Sequence, residues 1–260
     1  MRLPEYWRAG PPADGPTLVL LHGFLGAAEE WSELMAALAP SIHCLAPDLP
    51  GHGRNPQSDC SFAAMSAQIL ADLAEIGIDS FYLLGYSLGA RLALYLLTRT
   101  RAAVLSAVLE SGSPGLESEA ARQARRLSDE ALANRLERQP LETFLQGWYQ
   151  QPLFDGLRAH PAFASLLELR RHNRPEALAR SLRQAGTGVM PPLWQDLSGI
   201  RIPILYLAGR EDPKFCRIGA EMAAFCPTLQ LELLPCGHSP HLEVPPEWLA
   251  CVTRFLNVRA

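Results

Sequence analysis

The sequence predicts an α/β fold: a mostly parallel central sheet with helices on both faces and an inserted helical lid. Short apolar runs alternate with amphipathic stretches over the first 112 residues, and two further apolar runs follow residue 195. The stretch 113–195 between them shows helical patterns only. Strands that alternate with helices indicate parallel pairing through right-handed crossovers, so we expect one open sheet.

The predicted strands are apolar runs closed by Gly, Pro or Ser, as expected for strands that are buried on both faces. They cover residues 17–21, 42–46, 81–84, 104–109, 204–208 and 229–234. The clearest helical patterns between the first four strands cover residues 62–76 and 87–99.

Proline residues divide the stretch 113–195 into predicted helices. The helical patterns cover residues 118–126, 129–138, 141–150, 163–171 and 175–185. Open parallel sheets bind their ligands just outside the carboxyl ends of the strands. We therefore expect residues 1–112 and 196–260 to form the core, and residues 113–195 to form a lid over those ends.

The composition excludes several classes of protein. Hydrophobic residues make up 48% of the chain and charged residues 19%, which is typical of a globular protein. A formal net charge of −4 argues against a nucleic-acid-binding protein, which would usually be strongly basic. No apolar run reaches the roughly 20 residues that a membrane-spanning helix needs. The first residues also lack the apolar run of a secretory signal, so we expect a cytoplasmic protein.

The pattern of cysteines and glycines predicts neither a metal site nor a cofactor. The six cysteines are scattered without CxxC pairs and are predicted to be free thiols, several of them buried. Metal ligands at short spacings, a P-loop and a Rossmann glycine fingerprint are all absent from the sequence. We expect a monomer that acts on a small molecule without a metal or a cofactor.

The sequence GYSLG at residues 85–89 fits the G-x-S-x-G pattern of a nucleophile elbow. It directly follows a predicted strand and begins a predicted helix, which is the context that the elbow requires. The glycines leave room for a tight, strained turn that pushes the Ser87 hydroxyl out above the sheet. The helix N-terminus then points at the site and favours developing negative charge. Without this context, GYSLG would indicate only a glycine-rich turn.

An oxyanion hole is predicted beside Ser87. The trio His22-Gly23-Phe24 follows the first strong strand, and the loop at this place supplies one backbone N–H in folds with a nucleophile elbow. The residue after the nucleophile supplies the other, so the donors would be Phe24 and Leu88. Each donor can contribute about 3 kcal/mol to stabilisation of an oxyanion. A simple turn is the alternative interpretation of the trio.

The partners of the serine should follow along the chain in the order acid, then histidine. Asp212 and His238 each come after a predicted strand, at the same sheet edge as Ser87. His238 would take the Ser87 proton, and Asp212 would hold the imidazole in the useful tautomer. Glu211 is the alternative acid. The remaining candidate histidines are predicted to make hydrogen bonds within turns or lack a preceding glycine turn: His22, His52 and His241.

Read together, segments from the core and the lid resemble one family with the α/β-hydrolase fold. These segments are LHGFLG at 21–26, DLPGHG at 48–53, GYSLGAR at 85–91, ESGSPGL at 110–116, WYQQPLF at 148–154 and GREDPKF at 209–215. The family is the 2-succinyl-6-hydroxy-2,4-cyclohexadiene-1-carboxylate synthases of menaquinone or phylloquinone biosynthesis. The elbow and HGF are shared with many hydrolases, whereas WYQQPLF and the arginine in the elbow helix are more specific. The sequence departs from the family pattern at two places. Ala90 stands where a second glycine is common, and residues 170–175 match the family only loosely.

The resemblance implies a lyase that eliminates pyruvate from 2-succinyl-5-enolpyruvyl-6-hydroxy-3-cyclohexene-1-carboxylate. Ser87, activated by His238, is implied to remove the ring proton next to the succinyl ketone. The enolate oxygen would be held by the N–H groups of Phe24 and Leu88, and collapse of the enolate would expel pyruvate.

The implied substrate carries three carboxylates, which arginine binds through a planar fork that lysine lacks. By their motif positions, Arg91, Arg125 and Arg170 are candidate carboxylate clamps, or else parts of solvated, ion-paired helix faces. Because the helical phase decides which side chains face the site, the neighbours Arg122, Arg126 and Arg171 are alternatives. The residues expected to line the pocket are Tyr86, Trp148 and Tyr149, of which Trp148 could equally belong to the lid core.

Two other functions are compatible with this sequence. A carboxylic-ester or thioester hydrolase would use the same triad through an acyl-enzyme, although an enzyme for apolar esters would need an apolar lid pocket. A protein of this fold that only binds a ligand would usually lack a triad member, and here all three residue types are in place.

Overall fold

The structure, a computed structural model, describes residues 7–10, 17–100 and 102–258. It contains a seven-stranded sheet whose strands are β1 (Trp7–Ala9), β2 (Thr17–Leu21), β3 (His43–Ala46), β4 (Phe81–Tyr86), β5 (Val104–Glu110), β6 (Ile204–Gly209) and β7 (Leu229–Leu234). Their order in the sheet is β1-β3-β2-β4-β5-β6-β7. Every neighbouring pair is parallel except β1 with β3. The predicted fold class is therefore confirmed.

The apolar runs located the six parallel strands to within one or two residues. All residues of β2 and β6 are buried, as their unbroken hydrophobic sequence predicted. The edge strand β1 was not predicted, because three residues carry too little periodicity to identify a strand. The prediction that the first residues lack a secretory signal rests on residues 1–15, most of which lie outside the described residues.

Helices cover both faces of the sheet. They are α1 (Ser32–Leu38), α2 (Phe62–Glu75), α3 (Leu88–Arg99), α4 (Glu119–Arg138), α5 (Leu141–Trp148), α6 (Asp155–Ala159), α7 (Phe163–Arg171), α8 (Pro175–Ala185), α9 (Pro213–Phe225), α10 (Pro240–Glu243) and α11 (Pro245–Leu256). Buried residues of α2, α3 and α9 form one hydrophobic core with the sheet. Those of α1 and α11 form a second core on the opposite face.

The helices α4 to α8 lie between β5 and β6, and no strand occurs in residues 111–203, all of which the structure describes. The prediction of two helices at 118–126 and 129–138 was wrong, because α4 is continuous through residues 127 and 128. Neither Leu127 nor Ser128 breaks a helix, and Arg125 Nε donates to Asp129 Oδ1 across the expected gap (2.7 Å). This insertion has its own hydrophobic core, which includes Phe144, Leu178 and, from the loop after β2, Leu25.

The turn between β4 and α3 brings three backbone segments into close contact. A Cβ atom on Gly85 would collide with the carbonyl oxygen of Gly89, and one on Gly89 would collide with that of Leu21. Gly112 lies against the Cβ atom of Ala90, so the alanine in the elbow helix fits because the facing residue is glycine. The sequence departure at Ala90 is therefore accommodated by close packing.

We expect Gly89→Ala to destabilise the fold by several kcal/mol, because its methyl group would overlap with backbone atoms of β2 that cannot move aside. Gly199→Ala is a matched control, since a Cβ atom there would have no neighbour within 4 Å. Thermal unfolding of both variants would test this expectation. A melting temperature that falls equally in both would contradict it.

Candidate active site

Ser87 lies in a strained backbone conformation at the end of β4. Its φ is +50° and its ψ is −100°, a region that non-glycine residues rarely adopt. The Ser87 N–H donates to the carbonyl oxygen of Glu110 on β5 (2.8 Å), and Ser87 is the N-terminal capping position of α3. The turn therefore has the geometry of a nucleophile elbow, with the serine at the carboxyl edge of the sheet.

Asp212 and His238 come together at this same edge, although 26 positions separate them in the chain. His238 Nδ1 lies 2.7 Å from Asp212 Oδ2, and both residues are buried. Asp212 Oδ1 also accepts from the Phe215 N–H (3.2 Å), which fixes the carboxylate at the start of α9. Because a carboxylate only accepts, Nδ1 carries the ring proton and Nε2 is the nitrogen available as a base.

The alternative acid and histidines occupy other environments. Glu211 is exposed, whereas its neighbour Asp212 contacts the imidazole. His241 Nδ1 donates to Glu110 Oε1 (2.6 Å), and the indole N–H of Trp248 donates to Glu110 Oε2 (2.8 Å). This buried network lies behind His238 and leaves His241 engaged with its own carboxylate.

His22 and His52 each make a hydrogen bond within their own loop, as predicted, and His22 also accepts one from a second loop. The Leu49 N–H donates to His22 Nε2 (2.9 Å), so His22 Nδ1 is the protonated nitrogen and donates to the Gly23 carbonyl oxygen (2.8 Å). Burial lowers the pKa of His22 to about 3, and burial together with His22 lowers that of His52. Both rings are neutral at pH 7, which avoids buried positive charge beside Phe24.

The two predicted oxyanion-hole residues lie beside Ser87. Phe24 and Leu88 both line the cavity that Ser87 lines. Leu88 is the first residue of α3, so its N–H has no acceptor within the helix. Gly23 lies against the Tyr86 ring, and a Cβ atom at residue 23 would also be 3.6 Å from the Ser87 Cβ atom. The HGF loop is thus held directly against the elbow.

A cavity of about 430 Å³ opens above these residues, between the core and the insertion. From the core it is lined by residues that include Ser87, Leu88 and His238. From the insertion it is lined by residues that include Trp148, Phe154 and Leu157. The cavity therefore lies where the sequence placed the site, outside the carboxyl ends of the strands.

Arg91 and Arg125, two of the predicted clamps, line this cavity. Arg91 Nη1 donates to the Ala185 carbonyl oxygen (2.7 Å), and its guanidinium lies 5.6 Å from the centre of the Phe62 ring. Burial and the nearby charge of Arg125 lower the pKa of Arg91 to about 9, so the side chain stays charged at pH 7. Arg125 donates to Asp129, which leaves its terminal nitrogens as further donors.

Arg170, the third predicted clamp, lines the cavity but already has protein partners. Its guanidinium forms a buried ion pair with Glu30, and its Nε donates to the Tyr149 hydroxyl (3.0 Å). This carboxylate partner lies 140 positions away in the chain, in the turn after β2, and no pattern in the sequence indicates it. The pair ties the insertion to the core beside the cavity.

The helical phase favours the predicted clamps over their neighbours. Arg122 and Arg126 bind Glu119, and Arg171 binds Glu142 and Glu168, and none of these three arginines lines the cavity. The three predicted aromatic residues, Tyr86, Trp148 and Tyr149, line the cavity. Trp148 also packs against other aromatic rings, with its centroid 5.2 Å from that of Phe24 and 5.9 Å from that of Phe144.

Sequence reasoning missed two cations of the cavity wall, Lys214 and Arg217, which come from the first turns of α9. The sequence feature that could have identified them is their position, two and five residues after Asp212. Within the described residues there is no group of three or more His, Cys, Asp or Glu side chains that could hold a metal. The six cysteines are unpaired, and five of them are buried. None of the described helices is long and apolar enough to cross a membrane.

The strained serine at the edge of a mostly parallel sheet, with its Asp–His pair, identifies an α/β-hydrolase-fold protein. The chain matches the family described as alpha/beta hydrolase fold over residues 16–245. It is 37% identical to the 2-succinyl-6-hydroxy-2,4-cyclohexadiene-1-carboxylate synthase of Enterobacter sp. (strain 638), over 97% of this chain and 95% of the relative. The chain belongs to this synthase family.

Two further comparisons agree with this membership. The structure of MenH from S. aureus superimposes with a TM-score of 0.93 at 32% identity, and 97% of each chain is covered. Protein PHYLLO, chloroplastic, from Arabidopsis thaliana is 33% identical over 95% of this chain, which corresponds to 16% of that protein. The resemblance that the motifs indicated is therefore confirmed.

We expect the free energy of unfolding to fall as the pH drops from 6.5 to 5. His22 and His52 are neutral in the folded protein and take up protons on unfolding, because their pKa values are lowered only in the fold. Stability is therefore present above the unfolded pKa of 6.5 and is lost below it, by about 1.4 kcal/mol per pH unit for each histidine. Urea unfolding at several pH values would measure the slope.

His172→Ala provides the control for this experiment, since His172 is exposed. Its slope should match that of the unchanged protein. A stability that is flat between pH 6.5 and 5 would contradict the assignment of two buried neutral histidines.

Proposed function

We propose that this chain is a lyase that eliminates pyruvate from 2-succinyl-5-enolpyruvyl-6-hydroxy-3-cyclohexene-1-carboxylate to give 2-succinyl-6-hydroxy-2,4-cyclohexadiene-1-carboxylate. One observation carries the proposal beyond family membership. The cavity that exposes Ser87 and His238 is lined by Arg91, Arg125 and further cations, and among the described residues of that lining Glu117 is the one acidic residue. A cavity wall with this excess of positive charge suits a substrate with three carboxylates better than an apolar ester.

In this proposal the triad works as a base. His238 Nε2 takes the hydroxyl proton of Ser87, and Asp212 on Nδ1 stabilises the imidazolium that forms. The Ser87 oxygen then removes the proton from the ring carbon next to the succinyl ketone. No acyl-enzyme forms, so the serine acts in proton transfer.

The elimination follows from the resulting enolate. Negative charge develops on the ketone oxygen, where the N–H groups of Phe24 and Leu88 would donate to it. As the enolate collapses, the ring double bond shifts and the carbon–oxygen bond to the enolpyruvyl group breaks. The released enolpyruvate takes up on carbon the proton that His238 Nε2 had received, directly or through water, and becomes pyruvate. Ser87 has regained its proton from the ring carbon and His238 is neutral again, so protons and electrons balance.

The cavity wall supplies the groups that hold the anionic substrate. Arg91 and Arg125 have nitrogens available for carboxylates, whereas Arg170 is shared with Glu30 and Tyr149. We infer that Arg91 and Arg125 bind carboxylates directly, and that Arg170 contributes mainly a positive field and the position of Tyr149. The rings of Tyr86 and Trp148 would pack against the apolar part of the substrate.

The same similarity suggests the setting in which the enzyme works. We infer a role in menaquinone or phylloquinone biosynthesis, because the relatives include the bacterial synthases and Protein PHYLLO. We further infer that the enzyme is a monomer in the cytoplasm and that it binds no nucleic acid.

We expect the purified protein to release pyruvate from the enolpyruvyl substrate rapidly and to turn over p-nitrophenyl acetate negligibly. Ser87→Ala should reduce pyruvate release by roughly 10³-fold or more, because the base system is lost. A lactate-dehydrogenase-coupled assay would measure the first reaction, and absorbance of nitrophenolate the second. Strong ester turnover without pyruvate release would favour the ester or thioester hydrolase and reject the lyase.

A further inference from the structure

Lys214 is the only lysine of the chain, and it lies on the wall of the cavity. It follows Asp212 by two residues, in the first turn of α9. Its Nζ lies 5.2 Å from the centre of the Phe215 ring, and the Phe215 ring lies 4.6 Å from that of His238. The ammonium group is therefore held close to the Asp212–His238 pair.

Apart from the cation–π contact with Phe215, the protein groups around Lys214 compensate its positive charge only weakly. Within the part of the chain that the structure describes, Lys214 makes no hydrogen bond or ion pair with the protein. Burial and the neighbouring cations Arg125 and Arg217 lower the pKa of its ammonium group, although Asp212 acts in the opposite direction. A cation in the first turn of a helix is also opposed by the helix dipole.

The charge balance of the cavity indicates what would relieve this repulsion. Glu30 compensates Arg170, and Asp129 compensates Arg125 in part. Neither Arg91 nor Lys214 has a carboxylate partner among the described residues. A ligand with three carboxylates would therefore meet more uncompensated positive charge than the two arginines Arg91 and Arg125 provide.

We propose that Lys214, together with Arg125, forms an anion subsite that binds one carboxylate of the substrate. The choice of ligand rests on the proposed function, whereas the subsite itself rests on the position and unpaired state of Lys214. An ammonium group on a flexible stem can follow a carboxylate as the ring changes shape during elimination. Lys214 would thus determine specificity for a substrate with an additional acidic group.

The test is the kinetics of pyruvate release by Lys214→Gln. Loss of one charged hydrogen bond should raise KM roughly 10-fold to 100-fold and change kcat much less, because binding contacts are shared by ground state and transition state. Lys214→Arg should recover most of the loss. Arg254→Gln is the matched control, since it removes one positive charge from an exposed ion pair with Glu232.

A KM for Lys214→Gln within twofold of the unchanged protein would overturn the subsite while leaving the lyase intact. If the unchanged protein releases no pyruvate, the proposed function fails, and calorimetric titration with succinate decides the subsite by itself. Succinate that binds the unchanged protein more tightly than Lys214→Gln would support the subsite. Equal affinities, or no binding by the unchanged protein, would reject it.

A second, independent observation concerns the loop that carries His238. The Gly237 N–H donates to Glu243 Oε2 (2.8 Å), and the Ser239 N–H donates to Glu243 Oε1 (2.9 Å). The backbone on both sides of His238 is thus bound by one carboxylate from the end of α10. The same carboxylate fills the space next to Gly156 of α6, where a Cβ atom would collide with it.

We infer that Glu243 is a positioning residue for His238. It touches no reacting atom, but it fixes the backbone from which the imidazole reaches Asp212. A displacement of the ring by a fraction of an ångström would weaken proton transfer from Ser87 more than it would weaken substrate binding. Contact with α6 also makes the position of His238 sensitive to the insertion.

Glu243→Gln tests this inference, because an amide of the same shape keeps one acceptor oxygen and leaves one of the two N–H groups without a partner. We expect kcat to fall roughly 10-fold or more while KM stays within about twofold. Glu247→Gln, at an exposed site four residues further on, should change neither constant. An unchanged kcat, or a loss of activity that only follows the folded fraction measured by circular dichroism, would overturn the positioning role.

Discussion

The backbone turn at Ser87 brings the pieces of the active site together. Its strained conformation persists because Gly85 and Gly89 allow β2, β4 and α3 to approach more closely than any side chain would permit. The approach of β2 carries the HGF loop onto the elbow, so Phe24 arrives beside the serine. The hydrogen bond from the Ser87 N–H to Glu110 then joins the turn to β5. The strain at one residue is thus maintained by the packing of three segments.

Buried charge holds the rest of the site in place. The Glu110 carboxylate accepts hydrogen bonds from His241 and Trp248. The Glu30 carboxylate binds Arg170 at the boundary of core and insertion. Such pairs contribute little net stability, because desolvation offsets their attraction, but the loss of one partner is costly. Their main effect here is to fix orientation. They also account for why Arg170 is less available to a ligand than Arg91.

The insertion contributes to the cavity above Ser87 and His238 groups that the core does not supply. The core supplies Ser87 and His238 to the cavity wall. The helices above them add aromatic rings and the guanidinium of Arg125, while α9 of the core adds Lys214. Asn173 links the insertion to two core loops, since its amide donates to the Leu25 carbonyl oxygen (2.7 Å) and its Oδ1 accepts from the Gly53 N–H (2.8 Å). In the proposed function, specificity for an anionic substrate would therefore depend on how the core and the insertion meet.

The parallel strands, the elbow at Ser87 and the chain order of acid and histidine can be predicted from the amino-acid sequence. These features are local: apolar runs define buried strands, and a tight turn requires glycine wherever the chain lies. The motif positions of the family resemblance pointed to Arg91, Arg125 and Arg170, all of which line the cavity, whereas the helical period alone left their neighbours open. Three features became apparent only in the folded chain: the pair of Glu30 with Arg170, the hydrogen bonds of Glu243 to the His238 loop, and the place of Lys214 in the cavity wall. Such pairings depend on distances between segments far apart in the chain, and no periodicity in the sequence records them.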